Sequence, residues 1–125
     1  MNFFKLRKIL SKANYLELTP YRIAGHETDE NGKAMIVVPK FRSEFWKELL
    51  IPRRKTPYYR INLDELGSAT WLEIDGKKNV GEICRLLTGR FGEKISPAEE
   101  RITKFLTKLY DQRYISFMEI SEKEF

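Results

Sequence analysis

The sequence predicts an α+β fold, with a three-stranded antiparallel sheet followed by a three-helix bundle in a winged helix-turn-helix-like order. Three observations predict it. Short runs rich in β-branched and aromatic residues fill the chain up to residue 63. Beyond that point, capped segments carry apolar residues at helical spacing. Between them, residues 61–76, INLDELGSATWLEIDG, read as a strand running directly into a short helix that stops at an Asp75-Gly76 turn.

The elements follow in chain order. Residues 2–13 place Phe3, Leu6, Leu10 and Ala13 at helical spacing with Lys5, Lys8 and Lys12 elsewhere, which predicts a short, basic amphipathic helix that packs on its own domain or frays. Residues 16–24 and 33–39 read as the two strands of a hairpin; AMIVV at 34–38 is bounded by Gly32 and Pro39, and Asn31-Gly32 supplies the positive backbone angles of a tight turn. Asp29, Glu30 and Asn31 lack calcium-loop spacing and a closing glutamate, so they read as a solvated turn. His26, the only histidine, reads as a surface residue. Residues 43–50 predict a brief helix that covers a sheet face with Phe45 and Trp46, ended by Pro52 and followed by a basic connector, Arg53, Arg54 and Lys55, between two prolines. Residues 40–57 are thus an insertion between the second and third strands.

Residues 58–63, YYRINL, are the third strand. Tyr59, Ile61 and Leu63 alternate onto the core face, and Tyr58, Arg60 and Asn62 onto the other. Pro57 beside it predicts an edge position, with main-chain groups open to a further strand. Asp64 caps the first helix, in which Leu66, Ala69 and Leu72 share a side with Trp71 nearby; Gly67 lowers helix propensity and therefore signals close packing. Asn79 and Glu82 form a capping box for the second helix, whose Val80, Ile83, Cys84, Leu87 and Phe91 recur at core spacing. In that stripe Cys84 reads as a buried, inert thiol. Ser96, Pro97 and Glu99 predict the start of the third helix, with Ser96 as cap and Glu99 reaching back. Its apolar stripe is Ala98, Ile102, Phe105, Leu106 and Leu109, flanked by a basic ridge of Arg101, Lys104 and Lys108. Residues 114–120 read as a final strand or wing, followed by a frayed acidic tail.

Composition bounds the function. The 125 residues predict a single domain, and no stretch approaches the roughly 18 consecutive apolar residues of a membrane span. One cysteine excludes an intramolecular disulfide, which makes a reducing, cytoplasmic setting the default. The formal charge of +5 is uneven: residues 1–62 hold 13 Lys and Arg against 6 Asp and Glu, whereas residues 63–125 hold 10 against 12. Such a bias favours an acidic partner, or a basic face that is simply solvated. One histidine, one cysteine, no phosphate-cradling glycine loop and no paired metal ligands give an enzyme nothing to assemble, so neither a cofactor nor a catalytic residue is expected.

The pattern Leu63-Asp64-x-x-Gly67-x-x-x-Trp71-x-x-x-Asp75-Gly76-x-x-x-Val80-x-x-Ile83 resembles the signature of the PqqD family. These are small peptide chaperones first named from pyrroloquinoline quinone synthesis and the prototype of the RiPP recognition element. The resemblance extends from about Leu18 to Ile115. It implies that a leader peptide adds as an antiparallel strand beside the third strand, in a groove bordered by the third helix. On this sequence that groove is Tyr58, Tyr59, Arg60, Ile61, Asn62 and Leu63 with Arg101, Lys104, Phe105 and Lys108. It further implies a non-catalytic module that delivers a precursor peptide to a modifying enzyme, such as a radical S-adenosylmethionine enzyme. The residues themselves supply an exposed strand and a basic helix flank, which suits a partly acidic peptide. The 40–57 insertion departs from the prototype.

The second reading is a winged-helix nucleic-acid-binding regulatory protein. Against it, the helix that would enter the major groove begins with Glu99 and Glu100, and the connection from Leu87 to Ser96 exceeds the usual three- or four-residue turn. A third is a scaffold whose groove is filled by its own terminus. The same exposed edge could also pair two copies of the chain.

Overall fold

The computed structural model describes residues 15–39 and 58–120. The predicted helices at 2–13 and 43–50, the basic connector and the acidic tail lie outside the described residues. Within them the elements are β1 (Pro20–Arg22), β2 (Gly25–Thr28), β3 (Ala34–Pro39), β4 (Tyr58–Asn62), α1 (Glu65–Leu72), α2 (Val80–Phe91), a 3-10 turn (Gly92–Ile95), α3 (Ala98–Asp111) and β5 (Ile115–Phe117). The fold is α+β, with antiparallel sheets and three helices.

Two sheets form among the described residues. One is three-stranded, in the order β2-β3-β4, and the other pairs β1 with β5. This corrects the expected hairpin: residues 16–24 are not the partner of 33–39. The chain turns at Ile23 and Ala24, whose N–H groups both donate to the Tyr114 carbonyl at 2.9 and 3.0 Å. Those bonds divert Pro20–Arg22 onto β5, and it is Gly25–Thr28 that pairs with β3, Thr28 opposite Ala34 and Gly25 opposite Val37. The turn between them is longer than two residues. Only Gly32 takes a positive φ, of 82°, while the Asp29 carboxylate accepts from the N–H groups of Asn31 and Lys33 at 2.8 and 3.0 Å.

β4 runs antiparallel to β3, with Pro39 opposite Tyr58 and Ile36 opposite Ile61. Paired residues share a face, so Ala34, Ile36 and Val38 of β3 point inward with Ile61, whereas Met35 and Val37 point outward with Arg60 and Asn62. The outer face is crossed by an ion pair from Arg60 Nε to Glu27 Oε1 at 2.9 Å. Tyr59 has the inward register of Val38 yet is 56% exposed; along β4 and its continuation it is Ile61 and Leu63 that pack against the core, so the expectation of a core tyrosine is corrected.

α1 packs on β3 and α2, α2 on α3, and α3 on β5. Trp71, Ile74, Ile83, Leu87, Ile102, Leu106 and Phe117 fill the centre, all essentially without solvent contact. Ser68 fastens α1 to the sheet: its Oγ accepts the Ala34 N–H at 2.8 Å and donates to the Leu63 carbonyl at 3.3 Å, so both ends of that corner are satisfied although Ser68 is buried. Leu72 faces away from this packing and is 39% exposed, contrary to its place in the predicted apolar side; Trp71 and Ile74 take the core positions. The capping box of α2 forms as expected, with Asn79 Oδ1 accepting from Glu82 N at 2.8 Å and Glu82 Oε1 accepting from Asn79 N at 3.1 Å. The next two N–H groups, of Val80 and Gly81, donate to the carbonyls of Leu18 and Leu16 at 2.8 and 2.9 Å.

The predicted cap of α3 is not used. Ser96 ends the 3-10 turn, its N–H donating to the Glu93 carbonyl at 3.1 Å, and the helix starts at Ala98 with Pro97 at the cap position and no side-chain cap bond. Glu99 and Glu100 nevertheless lie in the first turn, where negative charge is favourable. After α3, Arg113 turns the chain with a φ of 65°, and β5 pairs with β1 rather than forming a separate wing.

Candidate functional site

The site is built where β4 ends and α1 begins. β4 is the last strand on its side of the three-stranded sheet among the described residues. Its continuation, Leu63, donates its N–H to the Ala34 carbonyl at 3.0 Å, and Asp64 then starts α1 by accepting the Gly67 N–H at 2.7 Å. Strand edge and helix start are therefore held at a fixed angle. Facing them is α3, which supplies Arg101, Ile102 and Phe105.

Between these elements lies a groove of about 390 Å³, lined by Asn62, Leu63, Asp64, Leu66, Gly67, Thr70, Ile95, Arg101, Ile102 and Phe105. Its walls are mostly apolar, from Leu63, Leu66, Ile102 and Phe105. Its charged groups are held in place. The Arg101 guanidinium donates to the Lys94 carbonyl at 2.6 Å and makes no ion pair among the described residues, and the Asp64 carboxylate is engaged as the helix cap. The groove thus offers an apolar floor, a tethered cation and, along one border, a strand edge.

The structure brings together only part of the predicted site. Asn62, Leu63, Arg101 and Phe105 meet at this groove. Tyr58, Tyr59, Arg60 and Ile61 lead up to it along β4, with Ile61 half-buried and the other three exposed. Lys104 and Lys108 do not reach it. They line another groove along α3, wider at about 810 Å³, with Tyr15, Leu16, Glu100 and Thr107, and Lys104 Nζ is 3.8 Å from Glu100 Oε1. Two displacements separate them: Arg101 and Phe105 stand four residues apart on one line, Lys104 is turned off that line, and Lys108, nearly in line with Arg101, lies about two turns further along the helix. Residues the sequence reading did not assign to the site are Asp64, Leu66, Gly67, Thr70, Ile95 and Ile102. Of these, Asp64 carried a signal as the helix cap and Gly67 through its cost in helix propensity, and both stand in the family pattern.

Titrating groups elsewhere have structural surroundings. His26 is not a plain surface residue, as expected, but stands edge-on to the buried Trp71 ring at 6.0 Å; burial, and secondarily Arg22, push its imidazole pKa down. Cys84 is 5% exposed, and burial pushes its thiol up to about 11, away from nucleophilic chemistry at neutral pH. Tyr15 is likewise pushed up to about 12 by burial, against the bond its hydroxyl shares with Thr107 Oγ1 at 2.8 Å. No group of three or more His, Cys, Asp or Glu side chains is placed to hold a metal ion among the described residues.

The family model for coenzyme PQQ synthesis protein D (PqqD) matches residues 49–115, which is 67 of the 125 residues. The chain belongs to the PqqD family. The matched span takes in β4, all three helices and the first residue of β5, and so covers the whole groove; β1, β2 and β3 precede it. No curated protein and no solved structure matches the chain. PqqD membership points to a role in the biosynthesis of pyrroloquinoline quinone or of other ribosomally made and modified peptides, in a family of non-catalytic accessory proteins. No helix among the described residues is long and apolar enough to cross a membrane.

Proposed function

We propose that this PqqD-family protein is a peptide-binding chaperone that takes the leader of a precursor peptide as an added strand on β4 and presents it to a modifying enzyme. The observation that carries this reading is the run of the β4 edge straight into the groove between α1 and α3. Edge strands offer main-chain donors and acceptors to an incoming strand, and the neighbouring groove receives alternate side chains. Backbone pairing along residues 58–63 gives affinity that is indifferent to sequence. Arg101 and the apolar walls give the selectivity. Because Arg101 has a carbonyl and not a carboxylate as its partner, an acidic residue on the peptide gains a charge-assisted bond there. Lys104 and Lys108, in the other groove, act at longer range by adding to the positive potential that draws an acidic leader in.

In this reading α2 and α3 form the helical pair of a winged-helix-like scaffold that serves peptide capture. The expected enzyme partner is of the radical S-adenosylmethionine class, and the setting is the cytoplasm. Chemistry belongs to that partner.

The test is a titration of isotope-labelled protein with synthetic leader peptides encoded near its gene, followed by amide NMR shifts. Saturable shifts confined to β4, Leu63 and the Arg101 to Phe105 stretch are expected, with weaker binding of an acidic leader to Arg101→Glu. Shifts that appear only with duplex DNA and centre on Thr103, Lys104 and Thr107 would overturn the proposal in favour of nucleic-acid binding.

A further inference from the structure

We infer that the wider groove along α3 is the seat of the chain's own N-terminal segment, residues 2–13, which lies in it through the apolar stripe of Phe3, Leu6, Leu10 and Ala13. The inference does not depend on the strand-addition reading.

The place where the segment joins the fold carries the inference. Residues 1–14 precede the first described residue, Tyr15, and Tyr15 is itself a wall of this groove. Its position is fixed from three sides. The buried ring stands edge-on to Phe117 at 5.8 Å, the hydroxyl lies 2.8 Å from Thr107 Oγ1 and donates to the Thr103 carbonyl at 3.2 Å, and the next carbonyl, of Leu16, accepts the Gly81 N–H at 2.9 Å. The segment thus leaves the fold beside α3, with no gap to cross. The α3 side of the groove runs from Pro97 to Lys108, as many residues as 2–13, and a helix of that length spans about 18 Å.

The surface suits an apolar cover. Thr103 Oγ1 donates to the Glu100 carbonyl at 3.2 Å and Thr107 Oγ1 to the Thr103 carbonyl at 2.8 Å, so both half-buried threonines have their hydroxyls bonded within α3 and can be covered without losing a hydrogen bond. Thr103 and Thr107 stand four residues apart, as do Leu6 and Leu10, a spacing at which two helices interdigitate. With the stripe turned to α3, Lys5, Lys8 and Lys12 fall on the opposite, solvent side, away from Lys104 and Lys108. Arg7 stands on the flank, where Glu99 and Glu100 offer carboxylates at one end of the groove.

The experiment compares amide NMR spectra of the full chain with those of a variant carrying Leu6→Ser and Leu10→Ser together, and of Leu10→Ala alone, with circular dichroism to verify folding. The double variant should move the amides of Tyr15, Leu16, Thr103, Lys104, Thr107 and Lys108 at any protein concentration, and Leu10→Ala should move the same amides less. Trypsin cleavage after Lys8 and Lys12 should be about tenfold or more faster in the double variant, because it tracks the fraction of time the segment is off the groove. Movement at Leu63, Leu66 and Thr70 instead would place the segment in the groove between α1 and α3 and overturn the inference. So would spectra that differ only within residues 1–14, with equal cleavage rates, which mean a solvated segment. A pattern that vanishes on dilution would assign the groove to the segment of a second copy, and overturn it equally.

Discussion

Asp75 and Cys84 illustrate how single side chains are set by their neighbours. The Asp75 carboxylate accepts from Lys78 Nζ at 2.7 Å, Lys78 N at 2.9 Å and Lys77 N at 2.8 Å, and these donors, led by the Lys78 ammonium, hold it well below the usual carboxylate range. A carboxyl whose pKa is lower in the folded chain stabilises it fully above its unfolded pKa of about 4, and that stabilisation is lost as pH falls below it. Urea midpoints measured from pH 5 down to about pH 2 should therefore fall less steeply for Asp75→Asn than for the unaltered chain; parallel curves would refute the assignment. Cys84 makes a different prediction, since burial raises its thiol pKa to about 11. A thiol reagent at neutral pH should label it at the rate of unfolding, fast in urea and slow in buffer, and rapid labelling of the native chain would contradict its burial. Its buried place could be read from sequence because it shares a helical stripe with Val80, Ile83 and Leu87. The exposure of Leu72 could not, because the eight residues of α1 have two plausible apolar sides and only the sheet beneath them selects one.

At the level of elements, a side-chain clasp closes the pairing of β1 with β5. Glu119 Oε1 accepts the Thr19 N–H at 2.7 Å and Oε2 accepts the Thr19 hydroxyl at 2.8 Å, next to the Met118 N–H bonded to the Thr19 carbonyl at 2.8 Å. Two strands of three residues each form a marginal sheet alone. Glu119→Ala should cost about 1 kcal/mol and sharply lower hydrogen-exchange protection at Thr19 and Met118, while β3 and β4 amides keep theirs. Equal protection in both proteins would show that core packing of Phe117 alone holds β5. This pairing was not visible in the sequence because Thr19 and Glu119 are distant along the chain. Local signals did identify the strand at β4, the Asp64 cap and the capping box at Asn79, each of which is decided within a few residues. The Ser96 cap looked as well specified, yet the 3-10 turn before it claimed its backbone first.

For the molecule as a whole, Trp71 is the keystone. It is fully buried where α1 meets the sheet, edge-on to His26, in a core that extends through Ile83 and Leu106 to Phe117. Its indole Nε1 is buried without a hydrogen-bond partner among the described residues, so Trp71→Phe removes volume but no polar contact seen there. Trp71→Ala should cost about 3–5 kcal/mol in urea denaturation, a large share of the roughly 5–15 kcal/mol of a domain this size, and Trp71→Phe clearly less. Equal losses for the two variants would mean that the indole N–H is satisfied after all.

What the sequence determined by itself was everything governed by short-range chemistry: the α+β order, the caps of α1 and α2, the strand at β4 and the glycine-bearing junction that carries the family pattern. The tertiary structure decided which face each helix buries, that β1 pairs with β5 at the other end of the chain, and that Arg101 and Phe105 share a groove from which Lys104 and Lys108 are excluded. The division has a physical cause. Capping and strand alternation are fixed by atoms a few bonds apart, whereas a groove exists only where surfaces from remote segments meet, and the placing of α3, both around and along its axis, sorts its basic ridge between two such surfaces.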